Sequence, residues 1–195
     1  MTRRRVIDAA RSLFLARGYA RTSLKEVATD AGVSDQTIYA AFGRKRGLLQ
    51  AIMDEMDLLA GVEETMAALR AADGHVARQL AIFVAYDRRL FEREHDHLLI
   101  LRDAGSSEPE LARTYREGRE RGRQVHVRVF KIWEDNGNLS SELNAETAAD
   151  FYHAVSSVDS FDYLVNERGW TADDWEAHTL RCLNSVLIRH SSTPG

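Results

Sequence analysis

Between Ser34 and Arg46 the chain reads Ser-Asp-Gln-Thr-Ile-Tyr-Ala-Ala-Phe-Gly-Arg-Lys-Arg. With Ile38 and Phe42 turned inward at helical spacing, the opposite face offers Asp35, Gln36, Thr37, Tyr39 and Ala40. The cations Arg44, Lys45 and Arg46 follow at the start of a further helix. A side-chain amide can pair in bidentate fashion with adenine, and short hydroxyls suit base edges and phosphates. Cations at a helix start add to the free backbone amides there as a phosphate clamp. This is the chemistry of non-covalent recognition, with Gln36 as the candidate for base readout. Asp35 could accept from cytosine, but capping the helix dipole is the simpler role. Arg3, Arg4 and Arg5 either reach phosphate or the minor groove, or form a solvated tail.

Other chemistries find less support. Glu92-Arg93-Glu94-His95 has the Glu-x-x-His spacing of di-iron bundles, but such sites need two copies and further carboxylates. His95-Asp96-His97, and Asp150 with His153, each offer two metal ligands without a third to complete a site. No Gly-x-Ser-x-Gly elbow, phosphate-cradling glycine loop or dinucleotide fingerprint occurs. The expectation is therefore a protein that is not an enzyme, with no catalytic residues, no bound metal and no cofactor.

The residues that could recognise a ligand must be positioned by helices. The chain has 195 residues, 44% of them apolar, and two prolines, which favours an all-α protein with a real core. Val6, Ile7, Ala10, Leu13 and Phe14 mark a first helix over Arg3 to Arg17, closed by Gly18. Ser23 and Glu26 form the pattern of a capping box opening a second, with Leu24, Val27, Ala28 and Ala31 inward. Gly32-Val33 interrupts, and Ser34 is the N-cap of a third. Two short helices joined by a glycine-containing turn have the proportions of a helix-turn-helix, although a structural hairpin shares that outline. Charge is polarised in the same sense: residues 1–50 hold ten Lys/Arg against four Asp/Glu, and the remainder sixteen against twenty-six. A basic end on an acidic body suits a molecule that meets phosphate at one end only.

Gly18-Tyr19, Thr22-Ser23, Val27-Ala28, Ala31-Gly32-Val33-Ser34, Thr37-Ile38-Tyr39, Phe42, Lys45 and Leu48-Leu49 together resemble the DNA-binding signature of the tetracycline-repressor (TetR) family, over about Val6 to Ile52. The resemblance implies a dimeric, usually repressing regulator with a helical effector-binding body. It matches Lys45 and the Tyr39 hydroxyl to phosphate contacts, Thr37 to a groove or phosphate contact and Thr22 to a backbone contact before the second helix. Ser34 and Gln36 complete the candidate DNA-binding set. Asp35-Gln36 and Ala40-Ala41 stand where many relatives have a Lys-Gly pair and a His or aromatic residues, so the operator sequence does not follow from the resemblance.

Residues 1–46 are thus expected to form a helix-turn-helix domain, and residues 47–195 a helical bundle for effector binding and dimerisation. Within the body, spacing predicts a helix from Leu48 to Leu69, one from His75 to about Glu94 and a shorter one over Asp96 to Arg102. Ala104 to Ser107 is a loop, and a long helix from about Glu108 ends near Asp135. The final helices span Ala145 to Arg168 and Thr171 to Arg189. These last two carry apolar residues on more than one stripe, which calls for a second partner that another protomer would supply, the alternative being that both faces pack internally. Phe83, Tyr86, Asp87, Phe91, Leu101, Tyr115, Phe130, His153 and Ser157 are candidates for an effector pocket among the middle helices, where plain core packing is the alternative. Cys182 is expected to be a buried thiol.

The expected partners are double-stranded DNA with a palindromic operator, a second copy of the chain and a small organic effector of unknown identity. No apolar run approaches the roughly 20 residues of a membrane span, and the expected location is the cytoplasm. The leading expectation is a repressor released by its effector. The alternatives are an activator, an effector-free DNA-binding protein, or a metal-binding helical-bundle enzyme.

Overall fold

The computed structural model describes residues 2–103 and 109–189, and within these the chain is helical, with no strand. The order is α1 (Thr2–Arg17), α2 (Leu24–Ala31), α3 (Asp35–Phe42), α4 (Lys45–Leu59), α5 (Val62–Ala71), α6 (Val76–Asp103), α7 (Pro109–Asp135), α8 (Ala145–Val155) and α9 (Val158–Phe161). A π-helical segment (Asp162–Glu167) continues α9, and α10 (Ala172–Leu187) follows.

Two compact units divide these elements, one of residues 1–58 with 96–118, the other of residues 59–95 with 119–195. In the first, Val27, Ile38 and Leu48 are fully buried together with Val6, Ile7, Ala10, Phe14, Phe42 and Ile52. Each such large side chain contributes about 1.5–3 kcal/mol on leaving water. Ala28 is buried too, and its methyl suits a close approach of helices. In the second unit Phe130, Trp133, Tyr152, Trp175 and Leu183 form the centre. The Trp133 indole N–H donates to Gln79 Oε1 at 2.6 Å, so even the buried polar edge is satisfied. The carboxyl-terminal end is tied down where Ser140 N–H donates to the Leu187 carbonyl and Arg189 N–H to that of Asn138.

Helix boundaries follow the sequence in the first fifty residues and depart from it in the body. The expected helix from Leu48 to Leu69 is two, because Gly61 takes a left-handed conformation at φ 81°. The carbonyls left over at that break are met by arginines of α6, Arg93 donating to Leu59 and Arg89 to Ala60. Conversely, the expected pair His75 to Glu94 and Asp96 to Arg102 is the single helix α6. No glycine or proline interrupts it, and buried Phe91, Leu98 and Leu101 continue its apolar face. The helix expected over Ala145 to Arg168 breaks at Ser156 and Ser157, where Ser157 is extended and caps α9 by accepting from Ser160 N–H. Cys182 is exposed rather than buried, since α10 turns Leu183 inward instead. The expected loop at Ala104 to Ser107 lies outside the described residues, and α7 begins at Pro109 and ends at Asp135 near the expected position.

Candidate nucleic-acid interface

The α2–turn–α3 geometry is set by local hydrogen bonds. Ser23 Oγ accepts from Glu26 N–H at 3.2 Å while Glu26 Oε2 accepts from Ser23 N–H at 2.7 Å, closing the capping box expected from the sequence. Those bonds hold the Glu26 carboxyl below the usual carboxylate range. Gly32 ends α2 at φ 65°, and its amide reaches back to Ala28 and Thr29. Ser34, extended, accepts from Thr37 N–H at 3.1 Å and opens α3. The turn is braced from α1, whose Arg5 guanidinium donates to the Ala31 carbonyl at 2.7 Å.

This places α3 with Ile38 and Phe42 buried and Asp35, Gln36, Thr37, Tyr39 and Ala40 exposed. Tyr39 retains 58% of its surface, an unusual exposure for a large ring. Among the described residues neither its hydroxyl nor the Gln36 amide has a hydrogen-bond partner. Ser34, Gln36, Thr37, Ala40 and Ala41 line a shallow surface concavity. At the α3–α4 corner Gly47 is compelled by space: a β-carbon there would sit 1.9 Å from the Phe42 carbonyl oxygen. The basic run is thereby fixed against the end of α3.

The candidate residues do not all face outward. Ser34, Gln36, Thr37 and Tyr39 share one exposed face. Lys45 is half-buried; its ammonium donates to the Tyr19 carbonyl and lies 3.9 Å from the centre of the Tyr19 ring. Thr22 is only 2% exposed, and its hydroxyl donates to the Gly18 carbonyl at 2.9 Å. The Thr22 side chain therefore braces the α1–α2 turn from within. Arg3, Arg4 and Arg5 are not a tail: they belong to α1, Arg3 stacking over Phe42 and Arg4 lying 3.9 Å from Glu55. Arg46, one of the cations expected at this helix start, donates through Nη2 to both carboxylate oxygens of Glu117 on α7.

In the second unit, four of the nine pocket candidates come together. Phe83 packs against Phe130 and against the buried ring of His126, and His126 Nδ1 lies 3.0 Å from His153 Nε2. Asp87, one turn beyond Phe83, accepts from the Tyr152 hydroxyl at 2.7 Å and the Ser156 hydroxyl at 2.6 Å, both on Oδ2. Burial lifts the Asp87 carboxyl to about 6 against the lowering effect of these two bonds. Burial also holds His126 well below the ordinary imidazole value and, with Arg119 and Arg123 adding to it, His153 down to about 4. Tyr152, Ser156 and His126 were not singled out from the sequence, although Tyr152 and Ser156, four apart, bracket His153. Phe91 belongs to a separate ring group with Phe161 and Trp175, Ser157 is a helix cap, and Tyr86 is half-buried on α6. Leu101 and Tyr115 lie in the first unit. His95, considered for a metal, is bonded to Asp162 at 2.7 Å, and no group of three or more metal-ligating side chains occurs among the described residues.

A capped helix-turn-helix with an exposed polar face and a basic corner has the form of a DNA-binding segment. Residues 6–52 match the family described as bacterial regulatory proteins, tetR family. Those residues are thus a helix-turn-helix segment of the kind that defines that family. The chain is similar to the HTH-type transcriptional repressor BepR of Brucella suis biovar 1 (strain 1330), at 26% identity over 95% of this chain and 90% of BepR. With the HTH-type transcriptional regulator YvkB of Bacillus subtilis (strain 168) it shares 41% identity over 54 residues, which is 28% of this chain and only 29% of YvkB. The fold matches that of FadR from Bacillus subtilis, a transcriptional regulator solved in complex with stearoyl-CoA, with a TM-score of 0.74 at 18% identity over 92% of this chain and 96% of FadR. No helix among the described residues is long and apolar enough to cross a membrane.

Proposed function

We propose that this regulator is a homodimeric repressor that binds a palindromic operator and releases it when a small organic effector enters its body. The observation that carries the DNA-binding part is the exposed face of α3, where Gln36 and Tyr39 present polar groups without partners among the described residues beside the Arg44-Lys45-Arg46 corner. Buried structural hairpins satisfy such groups internally, whereas a reading head leaves them for bases and phosphates. In this reading residues 1–46 are the reading head and 47–195 the effector-binding and dimerisation body. Repression is supported by the name of BepR, and effector binding by the ligand in the FadR complex. For dimerisation, the support is Val186, exposed on α10, with Phe151, Leu164 and Leu180 half-buried nearby in sequence on the last helices. The Asp87 cluster, with its polar groups converging among aromatic rings, is the effector site we favour.

Selection of bound sequences from a random duplex library tests this. The reading requires an inverted repeat with half-sites about 34–36 Å apart or wider, and an affinity that falls steeply with salt. Enrichment of no sequence would overturn it.

A further inference from the structure

The Asp87 carboxylate is buried among neutral partners, and that imbalance indicates what a ligand must bring. Tyr152 and Ser156 both donate to Oδ2, and among the described residues no donor reaches Oδ1. No lysine or arginine there pairs with Asp87, and the flanking guanidiniums are committed elsewhere. Arg88 pairs with Asp173 and Glu176, Arg89 serves the Ala60 carbonyl and Thr65, and Arg123 on α7 grips Glu146 and Asp150. The two imidazoles of the cluster do not supply the charge, since burial keeps both neutral. Buried charges are ordinarily paired. Asp87 keeps 9% of its surface accessible while Tyr152 keeps none, so the acid stands at the edge of the packed group. Beside it the rings of Phe83, Phe130 and Tyr152 meet edge to face and are closed to solvent, at 4%, 0% and 0% exposure.

We infer that the effector is an organic ammonium ion whose N–H donates to Asp87 Oδ1. This rests on the effector-binding reading above. An anion would be repelled by the carboxylate, and a neutral molecule of the same shape would gain area alone.

The test uses the full chain on its selected operator at neutral pH. The probes are straight-chain alkylamines from butyl to decyl and the matched alkanols and alkanoates, with thermal midpoint and operator release as readouts. The amines are expected to act at concentrations at least about tenfold lower than the matched alkanols. Asp87→Asn should reduce them to the alkanol level. Tyr152→Phe, which keeps the carboxylate, should preserve the amine preference and covers the case in which D87N does not fold. Alkanols or alkanoates acting as well as amines, or amines acting equally on D87N, would overturn the assignment of charge and leave the effector reading standing. If no compound of any class moved either readout, both would fall.

Discussion

Nη2 of Arg46 is held by both oxygens of Glu117, at 3.0 and 2.8 Å, so one cation of the basic corner beside α3 is occupied by a carboxylate in the DNA-free chain. Both side chains are more than a third exposed, and such pairs contribute only about 0–1 kcal/mol to stability. A phosphate can therefore displace Glu117 at little cost. Glu117→Gln should leave the melting point nearly unchanged while tightening operator binding. If Arg46 gains a phosphate once Glu117 lets go, Arg46→Ala should make the slope of log affinity against log salt shallower by about 0.9. Titrations at several salt concentrations measure both, and an unaltered slope would show that Arg46 does not reach DNA.

The exposed face of α3 separates readout from anchoring. Gln36→Ala should cost about 1–3 kcal/mol against the selected operator and relax preference at one base position. Tyr39→Phe removes a hydroxyl without touching the core, so it should weaken binding to all sequences alike. Competition among operator variants distinguishes the two. A uniform loss in Gln36→Ala would assign that amide to the backbone instead.

Thr22 gives the opposite case. Its hydroxyl is spent on the Gly18 carbonyl inside the α1–α2 turn, so Thr22→Val should destabilise the fold by about 1–3 kcal/mol. The salt slope of operator binding should stay as it is. A weaker affinity for every sequence with unchanged stability would restore Thr22 as a phosphate contact.

How far the sequence could be read follows from the range of the forces involved. Ser23 with Glu26, Ser34 and Gly18 act within three or four residues, and their caps and turns appear where their spacing places them. The outward face of α3 followed from assigning Ile38 and Phe42 to the core. Thr22 and Lys45 differ, because whether a hydroxyl or ammonium faces water depends on acceptors brought up by folding, the Gly18 and Tyr19 carbonyls. The pocket candidates spread for the same reason: an aromatic stripe does not say which neighbour it meets, so Phe83 joins Phe130 whereas Phe91 joins Trp175. Tyr152 and Ser156 gain their meaning only from Asp87, more than sixty residues away.

Asp87 also predicts a pH signature. Burial raises its carboxyl from 3.8 to about 6, so between those values the folded chain retains a proton that the unfolded chain has released. Its contribution to stability is present below about pH 4 and is lost as pH rises through about 6, beyond which it is level. His153 runs the other way: with its value depressed from 6.5 to about 4, its contribution is present above 6.5 and lost as pH falls through 4. The two slopes oppose each other over one window and partly cancel in the unmodified chain. Asp87→Asn removes one of them while the amide oxygen still accepts from Tyr152 and Ser156. Relative to the parent, the variant should therefore gain stability steadily from about pH 4 to 6 and hold that gain at higher pH, with about 3 kcal/mol between the plateaus by linkage. Paired thermal melts from pH 4 to 8 measure this difference. A difference that stays constant with pH would mean that Asp87 titrates as an ordinary solvated acid, which would remove the uncompensated charge on which amine recognition depends.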